Sequence, residues 1–185
     1  RFRLDNEKQQ HIAELKVAYG FGPDDLVLGF AGRLTNDKGI TELVAVFEQL
    51  ASKYENLKLL IIGNYESTDP VDEETKSKIE GHPGITFTGF QKDPVPFFHM
   101  MDVFVFLTKR EGFGNVSIEA ALCGVPVIVS DVTGAKDTIV DGRNGFLVNC
   151  ENQQDIAEKL ELLILAPEMR TRMGEFGQRW AAENF

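Results

Sequence analysis

Leu26-Val27-Leu28-Gly29-Phe30-Ala31 is an unbroken apolar run, and Gly32-Arg33 follow it at once. Ile40, Leu43, Val44, Phe47, Leu50 and Ala51 come next at the i, i+3, i+4, i+7 spacing of an amphipathic helix. A second apolar run, Leu57 to Ile62, closes the unit. Continuous rather than alternating apolar runs are what strands buried on both faces look like, so this unit reads as strand, helix and parallel strand. The same grammar continues through Ile85–Phe87, Val103–Leu107, Pro126–Val129 and Gly145–Val148, each run bounded by Gly, Asn, Asp or Pro. Helical patterns lie between them at Asp72–Glu80, Val95–Met101, Val116–Cys123 and Gln154–Leu165. Strands alternating with helices through right-handed crossovers predict a Rossmann-like α/β/α sandwich of three layers, with a mostly parallel sheet of about six strands. In such a sheet the ligand site lies at the carboxyl ends of the strands.

Two flanks stand outside the alternation, a leading helix from about Asp5 to Tyr19 and a last one from about Pro167 to Trp180. The expected division is a leading helix and linker over 1–25, a Rossmann-like core over 26–166 and a terminal helix over 167–185, all one domain. A chain of 185 residues can bury one sizeable core. It opens with Arg1-Phe2-Arg3 rather than Met or a signal-peptide pattern, which suggests a piece of something longer. With 29 acidic residues against 19 basic ones the formal charge is −10, which argues against nucleic acid as a partner. The longest stretches without charge, Gly81–Gln91 and Ala120–Ser130, are 11 residues each. A membrane-spanning helix needs roughly 20 apolar residues. The two cysteines, Cys123 and Cys150, read as buried thiols of a reducing compartment.

Two stretches carry chemistry. The first, Gly32-Arg33-Leu34-Thr35-Asn36-Asp37-Lys38-Gly39, places a planar cationic fork and a mobile point charge at a strand's carboxyl end. The following helix adds its N-terminus, so the turn suits a diphosphate. Neither the Walker order nor a Gly-x-Gly-x-x-Gly fingerprint is present. The second is Arg110-Glu111-Gly112-Phe113-Gly114-Asn115-Val116-Ser117-Ile118-Glu119-Ala120. Its glycines allow close backbone approach to a ligand, Asn115 reads as the helix cap, and Glu119 falls on a helix expected to be buried. A buried carboxylate needs a partner, either a base or the hydroxyls of a sugar. Arg110 is the nearest cation to pair with Glu111 in sequence, and Asp69 to Glu74, with Glu66 before them, read as a solvated acidic loop running into a helix. His11, His82 and His99 show no metal spacing, and Phe176 and Trp180 read as packing residues.

Glu111 and Glu119, eight positions apart around Gly112-Phe113-Gly114, resemble the Glu-x7-Glu signature of retaining glycosyltransferases of the GT-B fold, family 4. Gly32-Arg33 with Lys38-Gly39, Gly89-Phe90, Ala120 to Ile128 and Asp141 to Val148 are similar to that family in the same order. The resemblance implies the C-terminal, donor-binding half of a GT-B enzyme, the N-terminal acceptor domain being absent. It implies UDP- or GDP-sugar as donor, with Arg33 and Lys38 on the diphosphate and Glu111 on the transferred sugar as the catalytic set. Glu119 would hold the ribose, and the backbone of Gly112, Phe113, Gly114 and Asn115 would lie along sugar and phosphate. Gly32, Gly63, Phe90 and Gln91 complete the donor-binding set, the last three beside the nucleobase. No metal or other cofactor is implied, and no Asp-x-Asp is present. Front-face attack, with the leaving phosphate taking the acceptor's proton, requires no protein nucleophile. Gly134-Ala135-Lys136-Asp137 and the long loop after Gly63 look similar to bacterial enzymes that build capsule or O-antigen repeats on glycan or polyprenyl-linked acceptors. A cytoplasmic enzyme, peripheral at the inner membrane face, is then expected. Leu107-Thr108-Lys109 and Tyr65 depart from the family pattern. A non-catalytic nucleotide-sugar-binding module is the alternative, disfavoured by the presence of Glu111.

Overall fold

The computed structural model describes residues 2–185, so Arg1, where the leading segment begins, lies outside the described residues. Among these residues six strands form one sheet: β1 (Leu26–Ala31), β2 (Leu57–Ile62), β3 (Ile85–Phe87), β4 (Val103–Phe106), β5 (Val127–Ser130) and β6 (Gly145–Val148). Their order is β3-β2-β1-β4-β5-β6, and every pairing is parallel. This is the doubly wound order, whose reversal between β1 and β4 opens a crevice at the carboxyl edge. All six residues of β1 are buried, as expected for the central strand. It pairs with β2 from Leu26↔Leu57 to Ala31↔Ile62.

Among the described residues seven α-helices cover the sheet: α1 (Asn6–Ala18), α2 (Ile40–Ala51), α3 (Glu73–Gly81), α4 (Val95–Phe98), α5 (Asn115–Leu122), α6 (Gln153–Leu165) and α7 (Pro167–Asn184). Alternate strand residues feed two cores. Leu28, Phe30, Leu59, Ile61 and Val105 pack with Leu43, Phe47 and Leu160 on one face; Val27, Leu60, Phe104 and Phe106 pack with Ile12, Phe98 and Ala120 on the other. Complete burial of side chains of this size contributes about 1.5–3 kcal/mol each, and no disulfide is used: both cysteines are free and buried.

The structure shifts several expected boundaries for identifiable reasons. Asp5 is the cap of α1, accepting from Lys8 N, rather than its first residue. The expected helix Val95–Met101 is a single turn, and the last helix continues past Trp180 to Asn184. Trp180 meets Phe185 with ring centroids 5.4 Å apart, and Arg143 lies over the Phe176 ring at 4.4 Å. His82 and His99 take the packing roles expected, His82 accepting from Gly84 N and His99 bonding Phe2 O. Among the described residues no helix is long and apolar enough to cross a membrane.

Candidate donor site at the carboxyl edge

Beyond the ends of β1 and β2 lies a cleft of about 360 Å³. Gly32, Arg33, Gly63, Phe90, Gln91 and Glu119 line it, six of the residues singled out from sequence, and Ile62, Pro94, Phe98 and Val116 give it an apolar floor. Gly63 has φ +141°, and a Cβ there would run into Gly32 O. Only glycine lets the loop after β2 pass this close to the turn after β1. Gly63 N in turn donates to Gly89 O at 3.0 Å, and Phe90 N to Asn64 Oδ1 at 3.1 Å. These bonds hold Phe90 at the mouth, where it is 71% exposed. Gln91 donates to Thr88 O at 3.2 Å.

The remaining predicted residues, Lys38, Glu111 and Gly112 to Asn115, lie outside this cleft on the adjoining rim. There the structure makes a contact that sequence reasoning missed: Lys38 Nζ lies 3.0 Å from Glu111 Oε2. The two side chains are only 11% and 19% exposed. Glu111 thus pairs with Lys38 rather than with its neighbour Arg110, which lends only its carbonyl, 3.4 Å from Lys38 Nζ. Lys38 is accordingly not the mobile charge expected of an exposed lysine. The other oxygen of Glu111 accepts from Gly112 N at 3.0 Å. The turn and the loop are also joined through their backbones, since Lys109 N donates to Asp37 O at 2.7 Å and Thr108 Oγ1 to the same oxygen at 3.2 Å. Tight contact needs Gly39, at φ +69°, where a Cβ would strike Leu107 O.

The glycine loop has a support of its own. Gly114 N donates to Gly134 O at 3.2 Å. Below it Ser117 Oγ donates to Gly114 O at 2.7 Å and lies 2.6 Å from Thr138 Oγ1, both side chains fully buried. Buried hydroxyls linked in this way are satisfied and rigidifying. Gly114, not Asn115, occupies the cap position of α5, because Asn115 already has helical backbone and makes no cap bond. Val116 and Glu119 face the cleft half-exposed, correcting the expectation of a wholly buried helix. Phe113 projects from the loop and meets Phe185, centroids 5.7 Å apart.

The acidic loop after β2 is likewise more than a solvated face. Glu66 Oε2 lies 3.1 Å from Arg33 Nη1. Asp69, with φ +56°, accepts from Asp37 N at 2.8 Å, and Asp72 caps α3 by accepting from Thr75 N at 2.8 Å. Those bonds hold the Asp72 carboxyl below the usual carboxylate range. Tyr65, beside Glu66, has its hydroxyl buried without a hydrogen-bond partner. Burial, with the charge of Glu80, pushes its ionisation up to about 12. Among the described residues no three His, Cys, Asp or Glu gather into a group that could hold a metal ion.

Residues 11–180 match the glycosyl transferases group 1 family. The chain belongs to that family. It is 40% identical, over its whole length, to the capsular polysaccharide biosynthesis glycosyltransferase CapM of Staphylococcus aureus, of which it covers 47%. The C-terminal domain of the group 1 family protein LpcC from Francisella tularensis superposes with a TM-score of 0.83 at 26% identity, the match covering 99% of this chain and 95% of that one. Anabaena HepE, solved with UDP and glucose, shares the fold with a TM-score of 0.87 at 24% identity, over all of this chain and 50% of its own. The chain spans about half the length of the curated relatives it matches. The fold expected from the sequence, one Rossmann-like half of a GT-B fold, is the one this chain shares with the LpcC domain and with HepE.

Proposed function

We propose that this chain is the donor-binding half of a retaining glycosyltransferase, which takes a UDP- or GDP-sugar and, with an acceptor domain supplied by a longer protein, transfers the sugar to a glycan or polyprenyl-linked acceptor. The observation that carries the reading is the cleft itself: Arg33, Gly63, Phe90, Gln91 and Glu119 meet at the carboxyl ends of parallel strands, beside the Lys38–Glu111 pair. A nucleoside fits the apolar floor with its ribose at Glu119. The diphosphate then reaches the turn that bears Arg33 and Lys38, and the sugar lies along Gly112 to Asn115 at Glu111. That HepE, of the same fold, was solved with UDP supports the choice of ligand class.

In the proposed reaction the acceptor oxygen bonds to the anomeric carbon as the bond from that carbon to the diphosphate oxygen breaks, on the same face. The acceptor's proton passes to the leaving diphosphate, whose growing charge Arg33 and Lys38 stabilise without a metal. Preorganised charges of this kind usually supply the largest catalytic term. Similarity to a capsular polysaccharide biosynthesis glycosyltransferase supports a glycan-building role, which we place in the cytoplasm at the inner membrane face, where a polyprenyl-linked acceptor would be met. The test is calorimetric titration of this chain with UDP, GDP, uridine and guanosine. One diphosphate should bind near 10⁻⁴ M, an affinity limited by the open half-cleft, with its nucleoside much weaker. Equal affinity for nucleoside and diphosphate, or none for either, overturns the reading.

A further inference from the structure

Arg33 is the cation that a diphosphate entering the cleft meets, yet in this structure its guanidinium already faces a carboxylate, Glu66 at 3.1 Å. This is not a chance meeting of two long side chains. The segment carrying Glu66 is tied down on both sides of it: Leu34 N donates to Asn64 O at 2.9 Å before it, and Asn36 N to Asp69 O at 3.0 Å after it. Asp69 takes the left-handed conformation rare for a non-glycine residue to make that second clasp. Both clasps join the loop to the turn that bears Arg33, so Glu66 and Arg33 are carried on one rigid unit at the mouth of the cleft, and both line it.

Taking Arg33 as a diphosphate ligand, as proposed above, we infer that Glu66 is a built-in counter-ion that the diphosphate displaces, and that it sets the balance between donor and product. The pair is 58% and 38% exposed, so it is weak and readily exchanged for a phosphate oxygen. The displaced carboxylate stays beside the ligand and repels it in proportion to its charge. A nucleoside diphosphate carries about −1.5 to −2 on its terminal phosphate at neutral pH, whereas the same phosphate esterified to a sugar lacks that second ionisation. Glu66 therefore disfavours the product more than the donor, which helps the site empty after transfer.

The experiment titrates wild type, Glu66→Gln and Glu73→Gln with UDP, GDP, UDP-glucose, GDP-mannose and inorganic pyrophosphate. Glu73 opens α3, is exposed and makes no contact with Arg33, so its substitution removes the same charge without the counter-ion. Glu66→Gln should tighten the diphosphate that binds by roughly two- to fivefold. Its sugar ester should gain less, and both gains should shrink at higher salt. Unchanged or weakened diphosphate binding overturns the inference and makes Glu66 a residue that holds Arg33 in place. An equal gain from Glu73→Gln also overturns it, as a general field effect. If no nucleotide binds but pyrophosphate binds tighter to Glu66→Gln, the counter-ion stands and the donor reading falls. If neither binds to any variant, both fall.

Discussion

Arg33 and Lys38 leave the same turn, and a reading of residue types makes them a matched pair, yet the structure treats them as opposites. Lys38 is 11% exposed, held by Glu111 at 3.0 Å, by Arg110 O at 3.4 Å and more distantly by Asp37 at 3.9 Å. Arg33 is 58% exposed and holds one carboxylate, on a loop clasped to its own turn. One cation is part of the framework between two loops; the other is free to answer a ligand. The difference teaches that charge at a strand end is not one resource but two, and that Lys38 cannot reach a diphosphate without changing what Glu111 does. The side chain assigned to the sugar and the side chain assigned to the phosphate are neutralised by each other in the free protein.

The largest effect should come from Glu111. In the longer enzyme, Glu111→Ala should reduce turnover by about 100-fold or more, the size lost when one preorganised group aimed at the reacting centre is removed. Nucleoside diphosphate binding should hold or tighten, because Lys38 is released towards the phosphates. A loss in kcat without a loss in affinity marks an interaction made mainly in the transition state. Steady-state kinetics with a parallel binding titration decide it, and a parallel collapse of both would show that Glu111 only shapes the site.

Next in size is the contrast between the cations themselves. Arg33→Ala and Lys38→Ala should each weaken diphosphate binding by roughly 1.5–3 kcal/mol, the range for charge-assisted hydrogen bonds. Only Lys38→Ala should also lower stability, by about 1–2 kcal/mol, between the values for exposed and buried pairs, since it strands a mostly buried carboxylate and removes one of the links between two loops. Arg33→Ala should stay within about 0.5 kcal/mol of wild type, as exposed substitutions do. Urea denaturation beside calorimetry reads both quantities. Equal stability costs would show that Arg33 and Lys38 are held alike.

Much of this is legible in the amino-acid sequence. Strands buried on both faces write themselves as apolar runs, and the runs mark all six to within a residue at each end. Of the residues brought to the cleft, Arg33 and Glu119 stand out by type and position in the sequence, whereas the places of Gly32, Gly63, Phe90 and Gln91 follow from the family resemblance. The pairings were not legible, for a physical reason. Lys38 and Glu111 are separated by 73 positions and meet only because β1 and β4 are neighbours across the sheet's reversal, and Glu66 is 33 positions from Arg33, on a loop that backbone bonds on both sides of it clasp to the Arg33 turn. Neither depends on a local pattern. The cap of α5 failed differently: a good capping residue stood at Asn115, but the buried Ser117–Thr138 contact beneath Gly114 starts the helix one residue earlier.

The smallest effect tests whether the loop beside Arg33 is shaped for ligand exchange rather than for stability. Tyr65 lies between Asn64 and Glu66, packs on Phe87 with centroids 5.2 Å apart, and buries a hydroxyl that has no partner. An unpartnered buried hydroxyl lowers stability relative to hydrogen of the same shape, so Tyr65→Phe should be neutral or stabilising by up to about 1 kcal/mol. Diphosphate binding should not change. The same hydroxyl gives a pH signature. Its ionisation is raised from 10.0 to about 12 in the folded protein, first by burial and then by the charge of Glu80. The folded state therefore keeps the proton that the unfolded state loses, and the associated stability is present in full below pH 10 and disappears as pH rises through about 12. Denaturation between pH 9 and 11.5 should show wild type losing stability more steeply than Tyr65→Phe, and absorbance titration should show one fewer late-ionising tyrosine in the variant. A destabilised Tyr65→Phe would mean that the hydroxyl has a partner on the loop, and the comparison would shift: the Arg33 side of the site would then be as firmly built as the Lys38 side.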